Sequence, residues 1–87
     1  MKVLKIKEGV ELKELEKYGF EENESYPNYV YETRTKKNNY CFIMVDKSTR
    51  VISGTIVGVE HYTLTGNQIE QYAKSIIDAG MVEEVEE

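Results

Sequence analysis

The sequence predicts an α+β domain with the element order β-α-β-β-β-α, in which two helices pack on one face of an antiparallel sheet. Three runs rich in aromatic and β-branched residues are separated by polar turns of about four residues, which is typical of an antiparallel meander. A long apolar stripe with helical spacing follows these runs, and a shorter helical segment precedes them. A single sheet with both helices on the same face is the simplest arrangement that buries both stripes.

The first two elements are predicted to be a strand and a short helix. Residues 2–7 alternate lysines with aliphatic side chains and favour a strand, whereas residues 11–18 place two leucines on one helical face. Gly19 suits the left-handed position that follows many helices. Phe20 can then fold back on Leu15, as in a Schellman motif.

The middle of the chain predicts the meander. Residues 29–35, 40–46 and 50–57 are the strand candidates, and the second of them is the most apolar. The turns between them are residues 36–39, where asparagine tolerates positive φ, and residues 46–49.

The last helix has the clearest signals. Thr65 and Gln68 have the spacing of a capping box. Gly80 is expected to end the helix. Residues 1–82 are therefore predicted to form one domain, and residues 83–87 an acidic, flexible tail. Five apolar residues fall on one helical stripe: Ile69, Tyr72, Ala73, Ile76 and Ile77.

Composition predicts the compartment. The longest apolar run, residues 40–45, has six residues, against about 20 for a spanning helix. The N-terminus lacks the continuous apolar run of a signal peptide. Cys41 is the only cysteine, which excludes an intramolecular disulfide. We therefore expect a cytoplasmic protein without membrane contact.

No pattern in the sequence indicates catalysis. His61 is the only histidine, so a histidine-based metal cluster is excluded. Cys41 lies in an apolar run and is expected to be a buried, inert thiol. Gly54 and Gly58 lack the lysine and the helix of a phosphate loop. We expect no enzyme activity, no cofactor and no metal.

The net charge of −5 is unevenly distributed. Residues 8–32 hold eight acidic residues and two lysines, whereas residues 33–58 hold five basic residues and one aspartate. In one interpretation these charges are only solvated faces. In the other, a negative surface attracts a basic protein partner and disfavours direct nucleic-acid binding. The candidate interaction residues are Glu21, Glu22, Glu24, Tyr26, Tyr29 and Tyr31.

A second hypothesis is a small-ligand protein that sequesters a nucleotide. Tyr29, Tyr31 and Tyr40 would stack on the base. A third is a structural or assembly protein that acts through the uncovered sheet face. The oligomeric state stays open, with a homodimer among the alternatives. The candidate anion contacts of the second hypothesis are Arg34, Lys36, Lys37 and Arg50.

Three segments carry a resemblance. KIKEGVELKELEKYGF at residues 5–20, VDKSTRVI at residues 45–52 and IIDAGMVEEVE at residues 76–86 resemble small uncharacterised phage and prophage proteins of Gram-positive bacteria. The resemblance covers about half the chain and implies a setting on a mobile element. In that setting the first hypothesis is a non-enzymatic, acidic protein-binding module. Its partner would be a host or phage protein, for instance a host defence nuclease inhibited in the manner of an anti-CRISPR.

Overall fold

The computed structural model describes residues 2–86, and its architecture is α+β, as predicted. Met1 and Glu87, which begin the predicted domain and end the predicted tail, lie outside the described residues. Within residues 2–86 the chain has seven strands rather than the four predicted. The elements are β1 (Lys2–Ile6), a 3₁₀ helix (Leu12–Tyr18), β2 (Glu21–Glu22), β3 (Asn28–Arg34), β4 (Tyr40–Asp46), β5 (Ile52–Val57), β6 (Tyr62–Thr63), α1 (Gly66–Tyr72), α2 (Lys74–Asp78) and β7 (Val82–Glu86).

The predicted meander is the centre of a five-stranded antiparallel sheet with the order β2-β3-β4-β5-β6. Asn38 in the first turn has a φ of 65°, as expected for asparagine in this place. In the second turn, Asp46 Oδ1 accepts the N–H groups of Ser48 and Thr49, each at 2.8 Å. Arg50 then takes the left-handed conformation, with a φ of 68°. Both turns thus reverse the chain by local hydrogen bonding.

Strand alternation divides the five-stranded sheet into two faces. On one face, Tyr29 pairs with Val45 and Cys41 pairs with Ile56, and these four side chains are buried. The helices pack on this face, because Leu15, Ile69 and Ile76 belong to the same apolar cluster as these strand residues. This confirms that the helices lie on one side of the sheet.

Both predicted helix ends are confirmed. The Phe20 N–H donates to Leu15 O at 3.2 Å across Gly19, which has a φ of 91°. The Met81 N–H donates to Ile76 O at 3.1 Å across Gly80 in the same way.

The capping box is also present, because Thr65 accepts from the Gln68 N–H while the Gln68 side chain accepts from the Thr65 N–H. The predicted single helix is interrupted at Ala73, where ψ is 25°, but its apolar stripe stays continuous.

The prediction of a flexible tail is wrong for residues 83–86, which lie in β7. This strand pairs antiparallel with β1 in a separate two-stranded sheet, whereas a single sheet was expected. The pairing places Lys2 opposite Glu86 and Lys5 opposite Glu83. Opposite charges on facing strand positions stabilise such a pair. Lys2 also forms ion pairs with Glu84, at 2.8 Å, and with Glu70 of α1.

Candidate functional site

The side of the five-stranded sheet away from the helices is not covered by the described chain. Every side chain on it keeps some solvent exposure, whereas much of the opposite face is fully buried. Cross-strand pairing places Val30 beside Met44 and Tyr40 beside Val57. We call this surface the open face. It consists of Val30, Glu32, Arg34, Tyr40, Phe42, Met44, Ser53, Thr55 and Val57.

An arginine and two aromatic rings form a stack at one end of the open face. The Tyr40 and Phe42 rings lie 6.2 Å apart with an angle of 20° between their planes. The Arg34 guanidinium carbon lies 4.4 Å from the Tyr40 ring centroid, and Arg34 also donates to Tyr40 Oη at 2.7 Å. Asn38 Oδ1 accepts from Arg34 at 2.6 Å. This stack gives the end of the face a fixed, preorganised shape.

The acidic candidates lie along the β2 edge of the same sheet. Glu21 pairs with Val30, so it borders the open face, and it shares a small cleft of about 260 Å³ with Glu32. Glu22 forms an ion pair with Lys47 at 3.0 Å. Glu24 is exposed in the following loop. The free negative charge of this edge therefore comes from Glu21, Glu24 and Glu32 rather than from Glu22.

The tyrosine candidates are not brought together. Tyr26 is 60% exposed in the loop before β3, but Tyr29 is 5% exposed and faces the core. Tyr31 also faces the core and packs on Phe20, with ring centroids 5.4 Å apart. Burial raises the pKa of Tyr29. Tyr29 and Tyr31 pack beside their partners on β4, Val45 and Ile43, on the core face. Neither of them stacks beside Tyr40.

The basic candidates separate into two places. Arg34, Lys36 and Lys37 lie at the turn between β3 and β4, whereas Arg50 lies at the opposite ends of the strands. Because a seven-residue strand spans roughly 20 Å, Arg50 cannot contact a small ligand held by the other three. Its Nη1 donates to Lys7 O and to Val10 O, both at 2.8 Å, which stabilises that loop.

Beside the three clustered basic residues lies an open cleft of about 540 Å³. Sequence reasoning missed the part of its wall that comes from β6 and α1, because no local pattern brings those elements to the β3–β4 turn. Lys37 Nζ lies 3.2 Å from Glu60 Oε1 across the cleft. The cleft is lined by Arg34, Thr35, Lys36, Lys37, Asn39, Glu60, Tyr62, Gln71 and Tyr72.

One buried amide fixes the shape of this cleft. Asn39 is 3% exposed, and its Oδ1 accepts the Val59 N–H at 2.9 Å. Its backbone carbonyl accepts the Thr35 N–H at 2.9 Å, and its own N–H donates to Thr35 Oγ1 at 3.2 Å. Gly58 has a φ of 151°, and a Cβ there would lie 2.3 Å from Asn39 Oδ1. Asn39 thus holds the β3–β4 turn and the loop before β6 in a fixed relation.

The remaining chemistry-bearing side chains are isolated. Cys41 is fully buried, as expected, and burial raises its pKa, which disfavours the thiolate. His61 is exposed in the loop before β6. Among residues 2–86 no three metal-ligating side chains are grouped closely enough to hold an ion.

The helices within residues 2–86 are all too short or too polar to span a bilayer. Comparison with protein-family models, curated proteins and solved structures finds no match to this chain. The resemblance to phage and prophage proteins therefore stays a prediction.

Proposed function

We propose that this chain is a non-enzymatic protein-binding module that acts in the bacterial cytoplasm and docks a partner on its open face. The observation that carries the proposal is an uncovered sheet face with a central apolar strip, Val30, Phe42, Met44 and Val57, beside unpaired carboxylates. Apolar side chains grouped on a solvent-facing sheet are typical of a surface that a partner covers.

The charge of the edge specifies the partner. Glu21 and Glu32 border the apolar strip, and Glu24 follows on the adjacent loop. No ion pair is recorded for these three carboxylates within residues 2–86, and the whole chain carries a net charge of −5. The complementary surface is an apolar patch with lysine or arginine along one side, since opposite potentials steer and orient association.

This partner chemistry is that of a protein that handles nucleic acid, whose binding site is positively charged. An acidic module docked there would occupy a place meant for a phosphate backbone. The mobile-element setting implied by the sequence favours a host protein of this kind, and a defence nuclease is one example. The inhibitor hypothesis is thus a specific form of the binding proposal.

The experiment is a pull-down from bacterial lysate with matched variants, followed by titration calorimetry on the purified partner. Phe42→Thr removes the central ring of the open face but keeps a strand-forming residue. We expect it to weaken binding about ten-fold, as truncation of a buried aromatic anchor does. Glu21→Gln with Glu24→Gln should reduce the salt dependence of the affinity. Glu11→Gln, an exposed carboxylate at the start of the 3₁₀ helix, is the control and should behave as the wild type.

Equal binding by the wild type and Phe42→Thr would refute docking on the open face. An unchanged salt response in the double glutamine variant would refute the role of the acidic edge. The competing occupant is a second copy of the chain. If sedimentation shows a concentration-dependent dimer of the wild type that Phe42→Thr does not form, the occupant of the open face is a second copy of the chain and not another protein.

A further inference from the structure

We propose that the cleft between the β3–β4 turn, β6 and α1 is a binding site for a mononucleotide, that is, a nucleobase linked through a ribose to a phosphate group. The cleft shares only Arg34 with the open face, so this inference does not rest on the proposed docking function. Four features support it: the volume of the cleft, its charge, its aromatic wall and the buried amide that holds its shape.

The cleft has the size and the charge of a phosphate-ligand site. Its volume of about 540 Å³ lies within the range of roughly 300–1,000 Å³ of small-molecule pockets. Three cationic side chains, Arg34, Lys36 and Lys37, line it against one carboxylate, Glu60. This is a positive site on a chain whose net charge is −5. Such a local reversal of sign concentrates anions at the cleft.

The cations of the cleft differ in availability. The Arg34 guanidinium is held by Asn38 and Tyr40, and Lys37 is paired with Glu60. No hydrogen bond or ion pair is recorded for the exposed Lys36 within residues 2–86. Lys36 is therefore the lysine that can approach a phosphate without losing a protein contact. Lys37 would exchange Glu60 for the ligand.

Two tyrosines supply a wall for a planar group. Tyr62 is 40% exposed, although its side chain is large and apolar. Tyr72 also lines the cleft and is half-buried, and burial, Cys41 and Tyr62 raise its pKa. Its neutral phenol can donate a hydrogen bond. A base stacks favourably on an exposed tyrosine, and neighbouring cations attract its phosphate, as in proteins that bind single-stranded nucleic acid. Gln71 adds an amide that can both donate to and accept from a base edge.

The site is preformed rather than assembled by the ligand. Asn39 ties the turn that carries the lysines to the loop that leads into β6, through the Val59 N–H bond of 2.9 Å. A preorganised site loses less entropy on binding than a flexible one. The acidic remainder of the surface repels a long polyanion, which favours a single nucleotide over a nucleic-acid strand.

The test is an NMR titration of the full chain with AMP, GMP, CMP and UMP, with inorganic phosphate and a short single-stranded oligonucleotide as further arms. We expect at least one mononucleotide to shift the amide signals of residues 35–39 and 60–62 and the Tyr62 ring signals. Lys36→Gln should weaken binding about five-fold, the size of a solvent-screened ionic contact. Tyr62→Ala should weaken it about ten-fold, as loss of base stacking does. The control is Lys74→Gln, an exposed lysine of α2 outside the cleft.

Three results would overturn the assignment. No shift with any mononucleotide would exclude the site. Equal affinities for inorganic phosphate and for nucleotides, with Tyr62→Ala unchanged, would exclude the stacking wall. Tighter binding of the oligonucleotide per nucleotide would reassign the cleft to a strand. Because Tyr62 is 40% exposed, we expect Tyr62→Ala to keep the fold. Comparison of its amide spectrum with that of the wild type checks this.

Discussion

Replacement of Gly58 by alanine tests the physical account of the cleft most directly. At a φ of 151° an L-residue is strained, which costs about 1–3 kcal/mol. The added Cβ would also lie 2.3 Å from Asn39 Oδ1, so the buried amide must move and lose its bond to the Val59 N–H. That loss adds about 1 kcal/mol. We expect Gly58→Ala to lower the free energy of unfolding by about 2–4 kcal/mol, a large share of the stability of a domain of this size.

A double-mutant cycle separates the two causes. Asn39→Ala alone removes the same Val59 hydrogen bond and should cost about 1–2 kcal/mol. In the double variant the clash is absent, and only the backbone strain and one lost bond remain. The double variant should therefore be more stable than the sum of the two single effects by about 1 kcal/mol.

The measurement is urea unfolding of the wild type, the two single variants and the double variant, monitored by tyrosine fluorescence and by circular dichroism. Coincident transitions from the two probes confirm two-state behaviour, and the dependence of the unfolding free energy on urea concentration is compared between the proteins. Additive effects within about 0.3 kcal/mol would refute the contact between Gly58 and Asn39 as the source of the cost.

Three further changes test the fold. A Cβ at Gly54 would lie 2.7 Å from Leu64 Cδ1, so Gly54→Ala should overpack the core and lower the unfolding free energy by about 1–3 kcal/mol in urea; unchanged stability would contradict this packing. Thr65→Ala removes the acceptor for the Gln68 N–H and should cost about 1 kcal/mol by the same assay, whereas Thr65→Ser should be nearly neutral. Two backbone N–H groups lower the pKa of Asp46 below its ordinary 3.8, so its contribution to stability is complete above that value and is lost as the pH falls through the lower, folded value. Asp46→Asn should therefore flatten the pH dependence of the thermal midpoint below pH 3.8, and an unchanged slope would contradict the role of the carboxylate.

The elements that the sequence predicted correctly carry their signals within a few residues. The capping box at Thr65, the two glycines that end helices and the turn asparagine Asn38 each act through local hydrogen bonds or local backbone conformation. The β7 strand has no such signal, because its acidic composition is typical of a solvated tail. It is ordered by Lys2 and Lys5, which are about 80 residues away in the chain and meet it only in the folded state.

The candidate site shows the same division between features that local sequence predicts and features that depend on long-range contacts. Strand alternation puts Tyr29 and Tyr31 on one face of β3, but only the pairing of Tyr29 with Val45 decides that this face is the core. The sequence groups Arg34, Lys36 and Lys37 with Arg50 as anion contacts, but only the first three lie at the same turn in the structure. Tyr62 and Tyr72 join them through long-range packing that no periodicity encodes.

The two proposed surfaces share a single residue, so variants at other positions test each surface separately. Arg34 lies on the open face and also lines the cleft. Phe42 and Glu21 belong only to the open face and its edge, whereas Lys36 and Tyr62 belong only to the cleft. Phe42→Thr, which weakens partner docking, should therefore keep the nucleotide affinity of the wild type, and Tyr62→Ala should keep the partner affinity of the wild type. If Tyr62→Ala or Lys36→Gln instead reduced partner binding as strongly as Phe42→Thr, the cleft would be part of the protein interface and not a separate ligand site.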